Sequence, residues 1–104
     1  MSRKAYVYIL KCGDESLYTG WTYDVNLRVR EHQAGRGGRY TRSHLPVELV
    51  FVRQMADKYA AMREESYIKR MDRSTKLNMV EQFKNGLERY LSGRDQGYDQ
   101  EDRT

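Results

Sequence analysis

The sequence predicts an α+β domain: a small three-stranded sheet flanked by helices, in the order ββαβαα. Three observations lead there. Two runs rich in β-branched and aromatic residues, AYVYILK (5–11) and SLYTGWT (16–22), stand on either side of a Gly13–Asp14 turn signal. Two aspartates, Asp24 and Asp57, each precede a stretch suited to a helix. The only proline, Pro46, leads into a third strand-like run, VELVFVR (47–53).

Each element has its own justification. Alternation along a strand decides which of Tyr6, Tyr8 and Tyr18 share a face of the hairpin. Pairing Cys12 with Ser16 around a three-residue loop puts Tyr8 and Tyr18 on one face with Tyr6 alongside. Pairing Cys12 with Glu15 around a two-residue turn sends Tyr18 to the other. The sequence leaves both open. Gly20, inside the second strand, marks a bulge or a close backbone approach. Asp24 caps a helix running to about Ala34 and closed by Gly35, on which Arg28 and His32 are four apart and share a face. GRGGRYTRSHLP (35–46) reads as a loop. Asp57 caps a second helix to about Met71. A third starts at Asp72 or Ser74, with Leu77, Val80, Phe83 or Lys84, and Leu87 at helical spacing and Gly86 ending or bending it. The domain is expected over 1–91. Residues 92–104 have almost nothing to bury and are expected to be disordered.

Composition narrows the function classes. With 104 residues, 38% hydrophobic and 33% charged, the chain suits one soluble domain and one core. It has no bilayer-length apolar run, and MSRKAYVYIL lacks a signal-peptide h-region, so a cytoplasmic protein with no membrane partner is expected. A single cysteine, Cys12, allows neither an internal disulfide nor a thiolate zinc site. The net charge is +4, and between Asn26 and His44 five arginines, Arg28, Arg30, Arg36, Arg39 and Arg42, face one acid, Glu31. That basic patch fits an anionic partner such as nucleic acid.

Taken in order, "YVY" at Tyr6–Tyr8, "YTG" at Tyr18–Gly20, Arg28 and His32 in "RVREH", "RYT" at Arg39–Thr41 and "REESYIK" at Arg63–Lys69 resemble the GIY-YIG nuclease superfamily. The likeness is to its small stand-alone bacterial members and spans about Tyr6 to Phe83. The chain departs from the motif in two places: Tyr6-Val7 replaces the first Gly-Ile, and Thr19 the Ile of the second triplet. The resemblance implies a three-stranded sheet flanked by helices and metal-dependent cleavage of phosphodiester bonds in DNA. By position it implies a catalytic set of Tyr8, Tyr18, Arg28 and Glu65, with Glu65 holding one divalent cation, Mg²⁺ or Mn²⁺.

Those residue types suit that chemistry. A phenol with a pKa near 10 is ionised to only about a thousandth at pH 7, a deficit of roughly 4 kcal/mol that a guanidinium and a metal ion can partly offset. Tyr8 is the expected general base, with Tyr18 orienting water or sharing the proton; the residues alone do not separate the two. Arg28 suits a phosphate clamp because its fork donates twice. His32 either holds a phosphate or assists the base, unless it only serves the helix dipole. Helical projection puts Ala60, Ala61, Tyr67, Ile68 and Met71 on one stripe, with Glu64 near its middle and Glu65 at its edge. Periodicity therefore favours Glu64 as the buried acid, whereas the family register selects Glu65.

Arg36, Arg39 and Arg42 can reach phosphates, with Lys76 extending the track. Gly20, Gly37 and Gly38 admit close backbone approach, and Tyr40 either stacks on a base or packs beneath the loop. No separate recognition element is present, so structure or ends of DNA are favoured over sequence, in repair or recombination, with a protein partner as a possible source of specificity. A binding module or adaptor with little turnover of its own is the competing class.

Overall fold

Strand β1 (Ala5–Lys11) lies between β2 (Leu17–Thr22) and β3 (Glu48–Met55) in an antiparallel sheet of order β2-β1-β3. The structure is a computed structural model that describes residues 3–95, with side chains as far as residue 89. Helix α1 (Val25–Gln33) and the single turn α2 (Arg39–Arg42) lie between β2 and β3 in the chain; α3 (Lys58–Lys69) and α4 (Arg73–Asp95) follow β3. The expected ββαβαα order holds, with α2 added inside the segment expected to be loop.

The hairpin takes the three-residue loop. Tyr8 stands opposite Gly20 and Leu10 opposite Tyr18, and the Cys12 N–H donates to the Ser16 carbonyl at 2.9 Å. Closing so short a loop needs a left-handed residue, and Glu15 takes that conformation at φ 73°. Even-numbered side chains of β1 and β2 therefore share one face and odd-numbered ones the other. The odd face (Ala5, Val7, Ile9, with Phe51 of β3) packs against Ala61 and Ile68 of α3, with Met79, Val80 and Phe83 of α4 beside them. The even face (Tyr8, Leu10, Cys12) forms a second cluster with Val47, Tyr18 and Val29 of α1. As the central strand, β1 is buried on both faces, which is why it reads as an almost unbroken apolar run.

Local signals set the helix ends. Asp24 accepts from the Leu27 N–H at 3.1 Å, Asp57 from Ala60 at 2.9 Å and Asp72 from Thr75 at 2.9 Å, which decides the third helix start in favour of Asp72. At the end of α1, Gly35 (φ 81°) donates to the His32 carbonyl and Arg36 to that of Glu31, a Schellman closure. Three expectations need correcting. Strand β3 continues to Met55, two residues past the expected end. Helix α4 runs through Gly86 to Asp95, because one glycine costs a helix only about 1 kcal/mol. Tyr67, placed by projection on the buried stripe, is 56% exposed; the buried line of α3 is Ala61–Ile68. Of the tail expected to be disordered, residues 96–104 lie outside the described residues.

Candidate active site

Tyr8 is 1% exposed, and its hydroxyl lies 2.9 Å from His32 Nε2. Room for the phenol comes from the residue across the hairpin. A Cβ on Gly20 would fall 2.7 Å from the Tyr8 oxygen and 2.8 Å from Cζ, so Gly20, itself buried, is occupied by the end of Tyr8. Tyr18, on the same face, has its ring 6.5 Å from that of Tyr8 and 5.2 Å from that of His32.

The glycine-rich segment braces the site from behind. His32 is wholly buried, and its Nδ1 lies 2.7 Å from Thr41 Oγ1. A Cβ on Gly37 would stand 2.2 Å from His32 Nδ1, so here the main chain approaches the imidazole. The Gly37 carbonyl also accepts from Arg28 Nη2 at 2.7 Å, while Arg28 Nη1 pairs with Glu31 at 2.9 Å. Two of the five donors of the guanidinium are thus used to aim it, with the Tyr8 hydroxyl also within its reach.

Electrostatics ties the parts together. Burial pushes the Tyr8 phenol up to about 12; Tyr18 adds to the rise, Arg28 opposes it and the Glu65 carboxylate raises it further. Burial and then the Arg28 charge hold the His32 imidazole below its ordinary value, so it is neutral at pH 7. For Arg28, burial works against the charge but is outweighed by Glu31 and the Tyr8 hydroxyl, and its pKa is raised.

The two glutamates of α3 flank its buried line and go separate ways. Glu64 pairs with Arg53 of β3. Among the described residues Glu65 pairs only with Lys69, one turn along and half exposed, at 3.0 Å, and it is Glu65 whose charge reaches Tyr8. Among the described residues no group of three or more His, Cys, Asp or Glu forms a ready-made metal cage. One accessible carboxylate is nevertheless what Mg²⁺ commonly takes from a protein when water and phosphate oxygens fill the other positions, so the donor set fits one such ion.

The structure thus gathers Tyr8, Tyr18, Arg28, His32 and, through its field, Glu65. Arg36, Arg39 and Arg42 are exposed on or beside α2, and Lys76 is half-buried on the first turn of α4. Tyr40 is fastened: its ring lies 4.2 Å from and nearly parallel to that of His44, and its hydroxyl donates to Ser16 Oγ at 2.6 Å. Sequence reasoning missed Thr41 and the bracing role of Gly37. The hints were the place of Thr41 in the RYT triplet and of Gly37 in the glycine-rich segment just beyond the helix that carries Arg28 and His32. An open groove lined by Met55, Arg63, Glu64, Tyr67 and Arg70, with a volume of about 630 Å³, shares no residue with this cluster.

A sheet of this order, with two hairpin phenols, an arginine and histidine one helical turn apart and Glu65 on the helix after β3, defines a nuclease-like catalytic domain. The profile of the GIY-YIG catalytic domain matches residues 4–78, and the chain belongs to that family. Its relatives include UPF0213 proteins of Streptococcus sanguinis, 48% identical over 79% of this chain and 94% of the relative, and of Natronomonas pharaonis, 49% identical over 77% and 94%. A solution structure of the UPF0213 protein BH0048 from Bacillus halodurans is similar at 42% identity, with a TM-score of 0.50 over 75% of this chain and 83% of that one. No helix among the described residues is long and apolar enough to cross a membrane.

Proposed function

We propose that this chain is a divalent-metal-dependent endonuclease that hydrolyses phosphodiester bonds in DNA, directed by structure more than by sequence and serving repair or recombination in the cytoplasm. One observation carries the reading: a buried phenol hydrogen-bonded to a neutral histidine, with an arginine and a glutamate from two other segments acting on its charge.

In this reading Tyr8 is the general base. At a pKa of about 12 its ionisation at pH 7 lies roughly 7 kcal/mol uphill, so the free protein holds no useful phenolate. Arg28 already favours the anion, and proton transfer from Tyr8 to His32 Nε2 lets the phenolate form as it takes a proton from the attacking water. Tyr18 orients that water, and the free donors of Arg28 clamp the scissile phosphate. Glu65 would hold a single Mg²⁺ or Mn²⁺, which when bound polarises the phosphoryl oxygen and supports the leaving one. Arg36, Arg39, Arg42 and Lys76 follow the backbone on either side, with Tyr40 lining the approach and Gly20, filled by the end of Tyr8, seating the phenol instead, and a protein partner adds specificity.

The test incubates wild type and Glu65→Ala with linear, nicked, flapped and branched DNA, with and without Mg²⁺. Nicks that need both the metal and Glu65 are expected. Salt-sensitive binding without nicks on every substrate would sink the enzyme reading in favour of a binding module.

A further inference from the structure

We infer that Thr41 is a positioning residue that fixes the tautomer of His32, holding the proton on Nδ1 and leaving Nε2 bare to receive the Tyr8 proton. The inference deepens the proposed nuclease reading and, as far as the reaction goes, rests on it.

The geometry is a buried chain of three groups. Tyr8 Oη lies 2.9 Å from His32 Nε2, His32 Nδ1 lies 2.7 Å from Thr41 Oγ1, and Thr41 Oγ1 faces the Gly38 carbonyl at 3.5 Å. Tyr8, His32 and Thr41 are at most 1% exposed. A neutral imidazole has one donor and one acceptor, so the chain can run in only two directions. With the proton on Nδ1, Tyr8 donates to Nε2, Nδ1–H donates to Thr41, and the Thr41 hydroxyl points to the Gly38 carbonyl. Every donor then has an acceptor.

With the proton on Nε2, Thr41 donates to Nδ1 and Nε2–H donates to the phenol oxygen. The Tyr8 hydrogen then loses its acceptor, because Arg28 can only donate and His32 is the one acceptor bonded to that hydroxyl among the described residues. An unpaired buried donor disfavours this arrangement by roughly tenfold or more. Thr41 is the one partner of Nδ1 among the described residues, and the Gly37 main chain lies close to the same nitrogen.

The tautomer decides whether the relay can run. The Tyr8 O–H bond breaks and an N–H bond forms at Nε2, giving an imidazolium whose Nδ1–H still rests on Thr41. The phenolate takes a proton from water, and the hydroxide so formed makes the new P–O bond as the leaving oxygen departs with its electron pair and is protonated from bulk water. The imidazolium returns its proton through Tyr8 to solvent, which restores neutral His32 and Tyr8 and leaves one water added across the broken P–O bond. An Nε2–H imidazole has no lone pair facing Tyr8 and cannot take the first step.

The experiment compares wild type, Thr41→Val and Thr41→Ser by nitrogen-15 NMR of the imidazole rings in the free protein. His44→Gln in each background assigns the two histidines. The expected result is Nδ1–H at His32 in wild type and Thr41→Ser, and a tautomer ratio moved at least tenfold toward Nε2–H in Thr41→Val. Cleavage assays should then show kcat down about 10- to 100-fold in Thr41→Val with KM unchanged, restored by Thr41→Ser. Wild-type His32 carrying its proton on Nε2, a ratio unmoved in Thr41→Val, or an unchanged kcat overturns the inference. A tautomer shift as expected in a wild-type protein that cleaves no substrate overturns the nuclease reading instead, and leaves Thr41 setting the tautomer.

Discussion

Gly20→Ala tests whether Tyr8 is held as tightly as its surroundings imply. An added Cβ would stand 2.7 Å from the phenol oxygen and 2.8 Å from Cζ, where ordinary contact begins at 3.4 Å, so one partner must move by more than half an ångström. The added methyl is fixed to β2 and the phenol is buried on the central strand, so neither yields easily. Overpacking of this kind costs about 1–3 kcal/mol. A shift of that size also stretches the 2.9 Å bond to His32 past useful length, adding about 1 kcal/mol. The sign is diagnostic, because a glycine replaced by alanine inside an uncrowded strand gains about 0.5–1 kcal/mol. Urea unfolding should show Gly20→Ala less stable by about 2–4 kcal/mol, and thermal unfolding lowered by about 4–8 °C for each kcal/mol. Cleavage should fall at least tenfold in the folded variant. Unchanged or increased stability with full activity would refute the reasoning.

The other predictions rest on the same geometry. Glu65→Ala should abolish metal-dependent cleavage yet change the stability measured by urea unfolding by no more than about 1 kcal/mol, since it gives up a half-exposed pair with Lys69, whereas Glu64→Ala should keep cleavage and lose up to about 1 kcal/mol with its Arg53 pair. Arg28→Lys keeps the charge but loses the fork that bonds Glu31 and the Gly37 carbonyl, so kcat should drop at least tenfold in steady-state assays. His32 has a folded pKa below its unfolded value of 6.5, so the unfolded chain binds the extra proton first. Its contribution to stability is therefore present above pH 6.5 and lost as pH falls through the folded value, with a slope of at most about 1.4 kcal/mol per pH unit. Urea midpoints measured from pH 8 to pH 5 should show that slope in wild type and not in His32→Gln.

Most of the fold was legible in the sequence because its signals are local. Asp24, Asp57 and Asp72 cap the helices they precede, and Gly35 closes the first. The hairpin register was not legible, because the structure closes the loop with Glu15 in a conformation that sequence rules reserve for glycine or asparagine. The choice between Glu64 and Glu65 depends on Arg53, which lies on another element and so leaves no trace in helical periodicity. The glycines at 37 and 38 suggested a cradle for phosphate. Their carbonyls and close contacts turn inward to Arg28, His32 and Thr41 instead, a direction that composition does not encode.

Strand β1 has a further consequence. Val7 and Ile9 anchor it beneath α3 while Tyr8, between them, points the opposite way. The Tyr8 phenol thus has no hinge of its own, and sliding β1 by one position would exchange it with an aliphatic side chain. Heating should leave turnover intact until the whole domain melts, with inactivation and loss of secondary structure falling on a single curve.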